Sequence, residues 1–207
     1  RYFKNKMEAE GFGVLVVNTS KFKVITMSTK KTDANDAATL AFYLSKDMLP
    51  ESHLCDQTSE EIRRMLKTRS ILVSSTVKIK NQIHGMLLGY GIETTSAQFQ
   101  SKKKRQELIN VLAEHYFSQF TASSLEVTLN ILDDIYAQVK RIEEQIREMT
   151  KENETVSLLM TMPGIGFVGA TTIVSYVGDI SRFDGDFKKF SSYLGIIPSV
   201  HNSADTV

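Results

Sequence analysis

The sequence predicts an α/β segment followed by a mainly α-helical chain. Three observations carry that prediction. Val14-Leu15-Val16-Val17 is a short aliphatic run preceded by Gly11 and Gly13, the pattern of a strand buried on both faces of a parallel sheet. Two long stretches, from Ser59 to about Leu88 and from about Ser124 to Glu152, repeat apolar residues every three or four positions, as a helix with one buried face does. Beyond residue 153, Pro and Gly punctuate shorter apolar segments.

Each element follows in chain order. Tyr2 to Ala9 reads as the end of a helix, broken by Gly11 and Gly13. The Val14–Val17 run follows, then a weaker apolar stretch from Phe22 to Met27. Lys31-Thr32-Asp33-Ala34-Asn35-Asp36-Ala37 precedes Leu40, Ala41 and Leu44. Thr32 or Asp33 suits the N-cap of a helix reaching about Lys46, and Leu49-Pro50 closes that unit. In the helix from Ser59 to Leu88 the stripe is Ile62, Met65, Leu72, Ile79, Ile83 and Met86, with Arg69 and Thr76 between. Gly89 and Gly91 end it. A shorter helix is expected from about Lys102 to His115. The next long helix carries Leu125, Leu132, Ile135, Val139, Ile142, Ile146 and Met149. From Leu132 onward those positions make a heptad seam, which needs a partner: the Ile62–Met86 helix or a second subunit. Val156–Met160 and Ala170–Val177 flank Met162-Pro163-Gly164-Ile165-Gly166. Phe187–Leu194 forms a last amphipathic helix before Gly195, Pro198 and a polar tail, His201 to Asp205.

Composition narrows the function classes. Of 207 residues, 42% are hydrophobic and 24% charged, close to globular averages, which disfavours a disordered or collagen-like chain. The single cysteine, Cys55, excludes an intrachain disulfide and a multi-cysteine zinc site. No apolar run approaches the roughly 20 residues of a membrane span, and no signal peptide opens the chain, so a cytoplasmic location is expected. The chain starts at Arg1 and stops at Val207, and we read it as a piece of a longer protein. Divisions are expected at 1–50, 51–153 and 154–207.

Four groups of residues can carry chemistry. Asp33 and Asp36 lie three apart, on one helix face, where paired carboxylates hold Mg²⁺; the competing reading is capping and first-turn stabilisation. Pro163-Gly164-Ile165-Gly166 with Ala170 fits a helix-hairpin-helix, whose uncovered backbone N–H groups bind phosphate; it is equally an ordinary glycine turn. Charge is the third. Glu60 to His84 carries a net +4 through Arg63, Arg64, Lys67, Arg69, Lys78 and Lys80, and Lys102-Lys103-Lys104-Arg105 adds another +4. Residues 124–154 carry a net −4. The basic helices suit phosphate neutralisation, or pair with the acidic one. Last, Ser203 lies near His201 and Asp205, but nearness in sequence does not make a triad. Cys55 has no visible activating base and receives no role.

The order of these features resembles a known family. Lys31-Thr32-Asp33-Ala34-Asn35-Asp36-Ala37 with Leu40-Ala41 is similar to the K-T-D-x-x-D-A-x-x-L-A box of the DEDD-type insertion-sequence transposases (the IS-one-ten-like group, with the Piv invertases). Met162–Gly166, then Arg182-Phe183, then Tyr193-Leu194-Gly195-Ile196-Ile197-Pro198, resembles that family's C-terminal transposase domain. A long helical coiled-coil region separates the two boxes in the family, as here.

The resemblance implies a partial RuvC-like, ribonuclease-H-type domain over 1–50, a helical coiled-coil region over 51–153, and the start of a C-terminal transposase domain with a helix-hairpin-helix over 154–207. It implies that Asp33 and Asp36 are the last two of four acids binding Mg²⁺ or Mn²⁺, the others lying upstream of Arg1. Ser203 occupies the place of the family's serine nucleophile, although Ala204 follows where the family has Gly. DNA cleavage and rejoining is the implied reaction. DNA is the implied partner, with a guide RNA in some members and a homodimer or higher homo-oligomer through the coiled coil. The fragment itself is expected to be inactive. Two other readings stay open: a non-catalytic nucleic-acid-binding remnant, and a RuvC-like junction nuclease using water in place of serine.

Overall fold

The structure, a computed structural model, describes residues 1–24, 32–99, 101–113 and 118–196, with backbone alone at 111–113. The chain divides into two compact units, Arg1–Cys55 and Asp56–Val207.

The first unit holds helices α1 (Tyr2–Ala9) and α2 (Asp33–Ser45). Gly11, at φ +87°, turns the chain after α1 in a conformation that only glycine adopts cheaply. Thr32 is the N-cap of α2, its hydroxyl accepting from the Asn35 amide at 3.3 Å. Phe22 is buried and meets Tyr43 of α2 edge-to-face, ring centroids 5.0 Å apart.

The expected strand does not form. Among the described residues there is no β-strand, and the sheet of an α/β, ribonuclease-H-type domain is not seen. Val17 makes an isolated antiparallel bridge with Glu51. It is bracketed by Ser52 N donating to Val16 O at 2.7 Å and Asn18 N donating to Pro50 O at 2.8 Å. Leu15 is exposed; Val14, Val16 and Val17 are half-buried. A strand needs a ladder along its length, and β-propensity reports fit to such a surface more than any intrinsic preference. Here only one residue pair supplies it. Residues 25–27 of the Phe22–Met27 stretch, with Lys31, lie outside the described residues.

The second unit is built on two long helices. α3 (Gln57–Leu88) has 32 residues, a length of about 48 Å at 1.5 Å per residue. Asp56 caps it, Oδ1 accepting from the Ser59 amide at 2.7 Å. The turn through Gly89 and Gly91 (φ +75°) reverses the chain. A 3₁₀ turn (Ser96–Phe99) and helix α4 (Lys102–Ala113) follow. α5 (Gln119–Met149) returns along α3. It starts five residues before the expected Ser124, because Ser118 caps it by accepting from the Thr121 amide at 3.2 Å.

The pairing is antiparallel, as the two core clusters show. At the turn end, Ile83 and Leu87 of α3 pack with Phe99, Leu108, Leu125, Leu129 and Leu132. At the far end, Ile62 and Leu66 pack with Ile146. Between them Arg69 Nε lies 2.6 Å from Glu143 Oε1. The heptad seam of α5 is therefore covered by α3 of the same chain, and Met149 at its end stays exposed.

Three short helices complete the unit: α6 (Glu154–Met160), α7 (Phe167–Val177) and α8 (Phe187–Tyr193), with a 3₁₀ turn over Ile180–Phe183. α7 packs on α6 and on α3, burying Ala170, Thr171, Ser175 and Val177. Among the described residues, no helix is long and apolar enough to cross a membrane.

Candidate functional site

Asp33 is the first helical residue of α2 and Asp36 stands one turn on. Thr32 does the capping, so neither carboxylate is spent on an N-cap. Asp33 is exposed and Asp36 half-buried. Among the described residues neither has an ion-pair or hydrogen-bond partner on its carboxylate. The helix N-terminus favours negative charge there, and two carboxylates on one face suit a hard divalent cation that keeps several waters. The donor chemistry thus fits Mg²⁺ or Mn²⁺, but only as part of a coordination shell. No group of three His, Cys, Asp or Glu side chains able to hold a metal occurs among the described residues.

The glycine turn between α6 and α7 has the geometry of a hairpin. Ile165 N donates to Met162 O at 3.1 Å, and Gly164 sits at φ +87°. Gly166 is the N-cap of α7 and has no side chain to cap it, which leaves the first amide groups of α7 without side-chain acceptors. Gly164 and Gly166 are exposed and Ile165 half-buried. A Cβ at either glycine would meet nothing within 4 Å, so the turn is open rather than a close-packed contact. Ala170, by contrast, is fully buried: the small residue serves helix packing. Sequence reading missed Arg147, whose guanidinium lies 4.3 Å from the ring centroid of Phe167. This sets a cation beside the first residue of α7. Its position off the heptad stripe was the available signal.

The basic residues split into two groups. Arg64, Lys67, Lys78, Lys102, Lys103 and Lys104 are exposed. Arg64 also pairs with Glu60 one turn away, and Lys103 lies 3.9 Å from Glu107; exposed pairs of this kind are weak. Lys80 is half-buried over the Tyr136 ring at 5.5 Å. Two others, Arg105 and Arg63, spend hydrogen bonds on groups within the fold. Arg105 is only 5% exposed. It pairs with Asp133 and donates to Phe99 O at 2.8 Å, so its charge is neutralised internally. Arg63 Nε donates to Ser175 O at 2.8 Å, and its guanidinium lies over Tyr176. It satisfies carbonyls at the C-terminal end of α7, where a cation suits the helix dipole. Ser203, with His201 and Asp205, lies outside the described residues.

Comparison with known proteins places these features in one frame. Residues 4–92 match the model of a DEDD transposase domain, described as Transposase. Residues 156–207 match the model described as Transposase IS116/IS110/IS902 family. The transposase for insertion sequence element IS1111A of Coxiella burnetii is 25% identical over 182 residues, 86% of this chain and 49% of that protein. The transposase for insertion sequence element IS1328 of Yersinia enterocolitica is 24% identical over 180 residues, covering 86% of this chain and 52% of that protein. A probable family 20 transposase of Pseudomonas aeruginosa is 22% identical over 176 residues, covering 84% and 51%. The chain spans about half the length of the curated relatives it matches. No solved structure matches it.

Proposed function

Because the chain belongs to the IS110 family of insertion-sequence transposases, we propose that it takes part in metal-dependent cleavage and rejoining of DNA strands during transposition. The observation that carries this reading is the order of two independent matches, a DEDD domain at 4–92 and a transposase domain at 156–207, with α4 and α5 between them.

In this reading Asp33 and Asp36 hold Mg²⁺ or Mn²⁺ together with acids from elsewhere in the protein. The bound ion supplies Lewis-acid stabilisation of the charge that develops on the phosphate. Ser203 Oγ bonds to phosphorus as one P–O bond of the strand breaks. The number of phosphoester bonds is unchanged, so the covalent joint can be passed to a new hydroxyl. The turn at Gly164, Ile165 and Gly166 positions the backbone through its open amides. The exposed cations Arg64, Lys67, Lys78, Lys102, Lys103 and Lys104, with Lys80 at the rim, neutralise neighbouring phosphates.

The test is strand exchange between donor and target DNA by the full-length protein. Asp33→Ala, Asp36→Ala and Ser203→Ala should each lower the rate by roughly two to three orders of magnitude, the size expected for loss of a group that stabilises developing charge. A serine–DNA adduct should be trapped with wild type and not with Ser203→Ala. An unimpaired variant removes its residue from the mechanism. Strand cleavage with no adduct assigns the reaction to water.

A further inference from the structure

The α3–α5 hairpin has two flanks beside its seam, and their chemistry differs. Positions seven residues apart stay on one flank of such a pair. One flank carries Arg63, Val77 and His84 of α3 with Glu126, Asp133, Lys140 and Arg147 of α5. The rest of the unit is tied to this side. Asp133 pairs with Arg105 of α4, and the His84 ring meets that of Phe99, centroids 5.0 Å apart. Arg63 donates to Ser175 O of α7, and Arg147 lies over Phe167.

The other flank is apolar. Met65, Leu72, Ile79 and Met86 of α3 lie seven apart, as do Ile135, Ile142 and Met149 of α5. Two antiparallel helices turn like flanks to one side, and across this one Ser124 Oγ donates to Met86 Sδ at 3.9 Å. Met149 is exposed and the others are half-buried. The next row outward, Thr68, Ser75 and Gln82 with Ile131, Gln138 and Gln145, is uncharged as well. A seam alone suffices for two helices. A third apolar row widens the stripe to that of a helix with two neighbours, as in a four-helix bundle.

We propose that this uncharged flank binds the same flank of a second copy of the chain, closing a four-helix bundle. The seam of α5 is already covered by α3, so the contact uses the row beside it. Three features select a second copy as the occupant. Both helices present the same kind of row, so a two-fold axis sets like on like. With that axis along the bundle, each α3, net +4 over 60–84, lies beside the partner's α5, net −4 over 124–154, an arrangement that opposite charge favours. The third feature is area. From Met65 to Met86 the row runs about 30 Å, and two helices with their side chains are about 20 Å across. Roughly 600 Å² per copy, or roughly 1,200 Å² in all, clears the ~1,000 Å² of a specific interface. Leu72 and Ile135 lie in the apolar row itself; Ile131 belongs to the rim, where truncation changes little. The contact needs only the hairpin and holds whether or not the protein acts on DNA.

The test is the mass of the full-length protein by light scattering over a dilution series. Wild type should show twice the single-chain mass, or an even multiple of it. Leu72→Glu and Ile135→Glu stand outside both core clusters. Each should raise the dissociation constant roughly tenfold or more, because a charge is then buried without a partner, while circular dichroism keeps the helix content. Val77→Glu, exposed on the opposite flank, should leave the mass unchanged. Should both row variants unfold, cross-linking decides. Chains with Thr68→Cys, mixed with chains with Gln145→Cys, both exposed positions in Cys55→Ser protein, should join through a short bismaleimide, since each α3 adjoins the partner's α5. A single-chain mass throughout overturns the proposal and gives the flank to another part of the same chain. An unchanged mass in folded Leu72→Glu and Ile135→Glu overturns it too, as does the absence of the cross-link.

Discussion

At the scale of single residues, burial decides what a charge can do. Lys102, Lys103, Lys104 and Arg105 form one basic run in the sequence, yet they divide into three exposed lysines and one buried arginine. Hydrogen bonds to charged groups contribute roughly 1.5–3 kcal/mol each. Arg105→Ala should therefore lower unfolding free energy by about 2–3 kcal/mol, read from the urea midpoint. Alanine at Lys102, Lys103 or Lys104 should change stability by less than about 0.5 kcal/mol and instead reduce the salt slope of DNA binding. Equal stability losses in all four would refute the division. The same contrast separates Arg63, spent on carbonyls at the end of α7, from its exposed neighbour Arg64. A run of like charges reveals none of this, because which member faces inward depends on the register of the helix against its neighbours.

At the scale of elements, the C-terminal turns rest on backbone geometry and one exposed ion pair. Gly164→Ala forces a side chain into a left-handed conformation, costing about 1–2 kcal/mol; Gly166, at φ −84°, should tolerate alanine better. Thermal unfolding of the two variants compares them directly. The Asp184–Lys189 pair joins the 3₁₀ turn to α8. The hydrogen bond from Lys189, helped by its charge, holds the Asp184 carboxyl below its ordinary 3.8. The same contact from Asp184 holds the Lys189 amine above 10.5. The carboxyl's contribution is thus present above its ordinary value and lost as pH falls through the lowered one. The amine's is present below its ordinary value and lost as pH rises through the raised one. NMR titration should find the pair intact between those limits. Both groups are exposed, so the effect should stay local and fade with added salt.

At the scale of the whole molecule, the α3–α5 hairpin organises the second unit. Leu132 is fully buried in it, while its neighbour Ile131 is 46% exposed. Leu132→Ala should cost about 3 kcal/mol, within the range for emptying a core leucine. Ile131→Ala should stay within about 0.5 kcal/mol. Denaturant curves for the pair test whether the seam of α5 closes on α3: similar midpoints would mean that the two faces are equally covered.

Local pattern was enough for the helices, the cap of α2 and the glycine turns, because hydrophobic period, Thr32 and Gly164 act on residues within a turn or two; the Asp56 and Ser118 caps, which start α3 and α5 earlier than the apolar stripes do, were not read from it. It was also enough to put Asp33 and Asp36 on one face, since that follows from helical pitch. Tertiary contact decided the rest. The seam from Leu132 to Met149 suits any apolar helix, and only packing selects α3. The Val14–Val17 run has a strand's composition, but a strand exists only where a neighbour completes its hydrogen bonds, and Glu51 completes a single bridge. The Arg182-Phe183 pair is legible in the chain as a motif, but only the fold brings Tyr193 over the Arg182 guanidinium, at 4.4 Å, and gives the neighbouring Asp184 to Lys189.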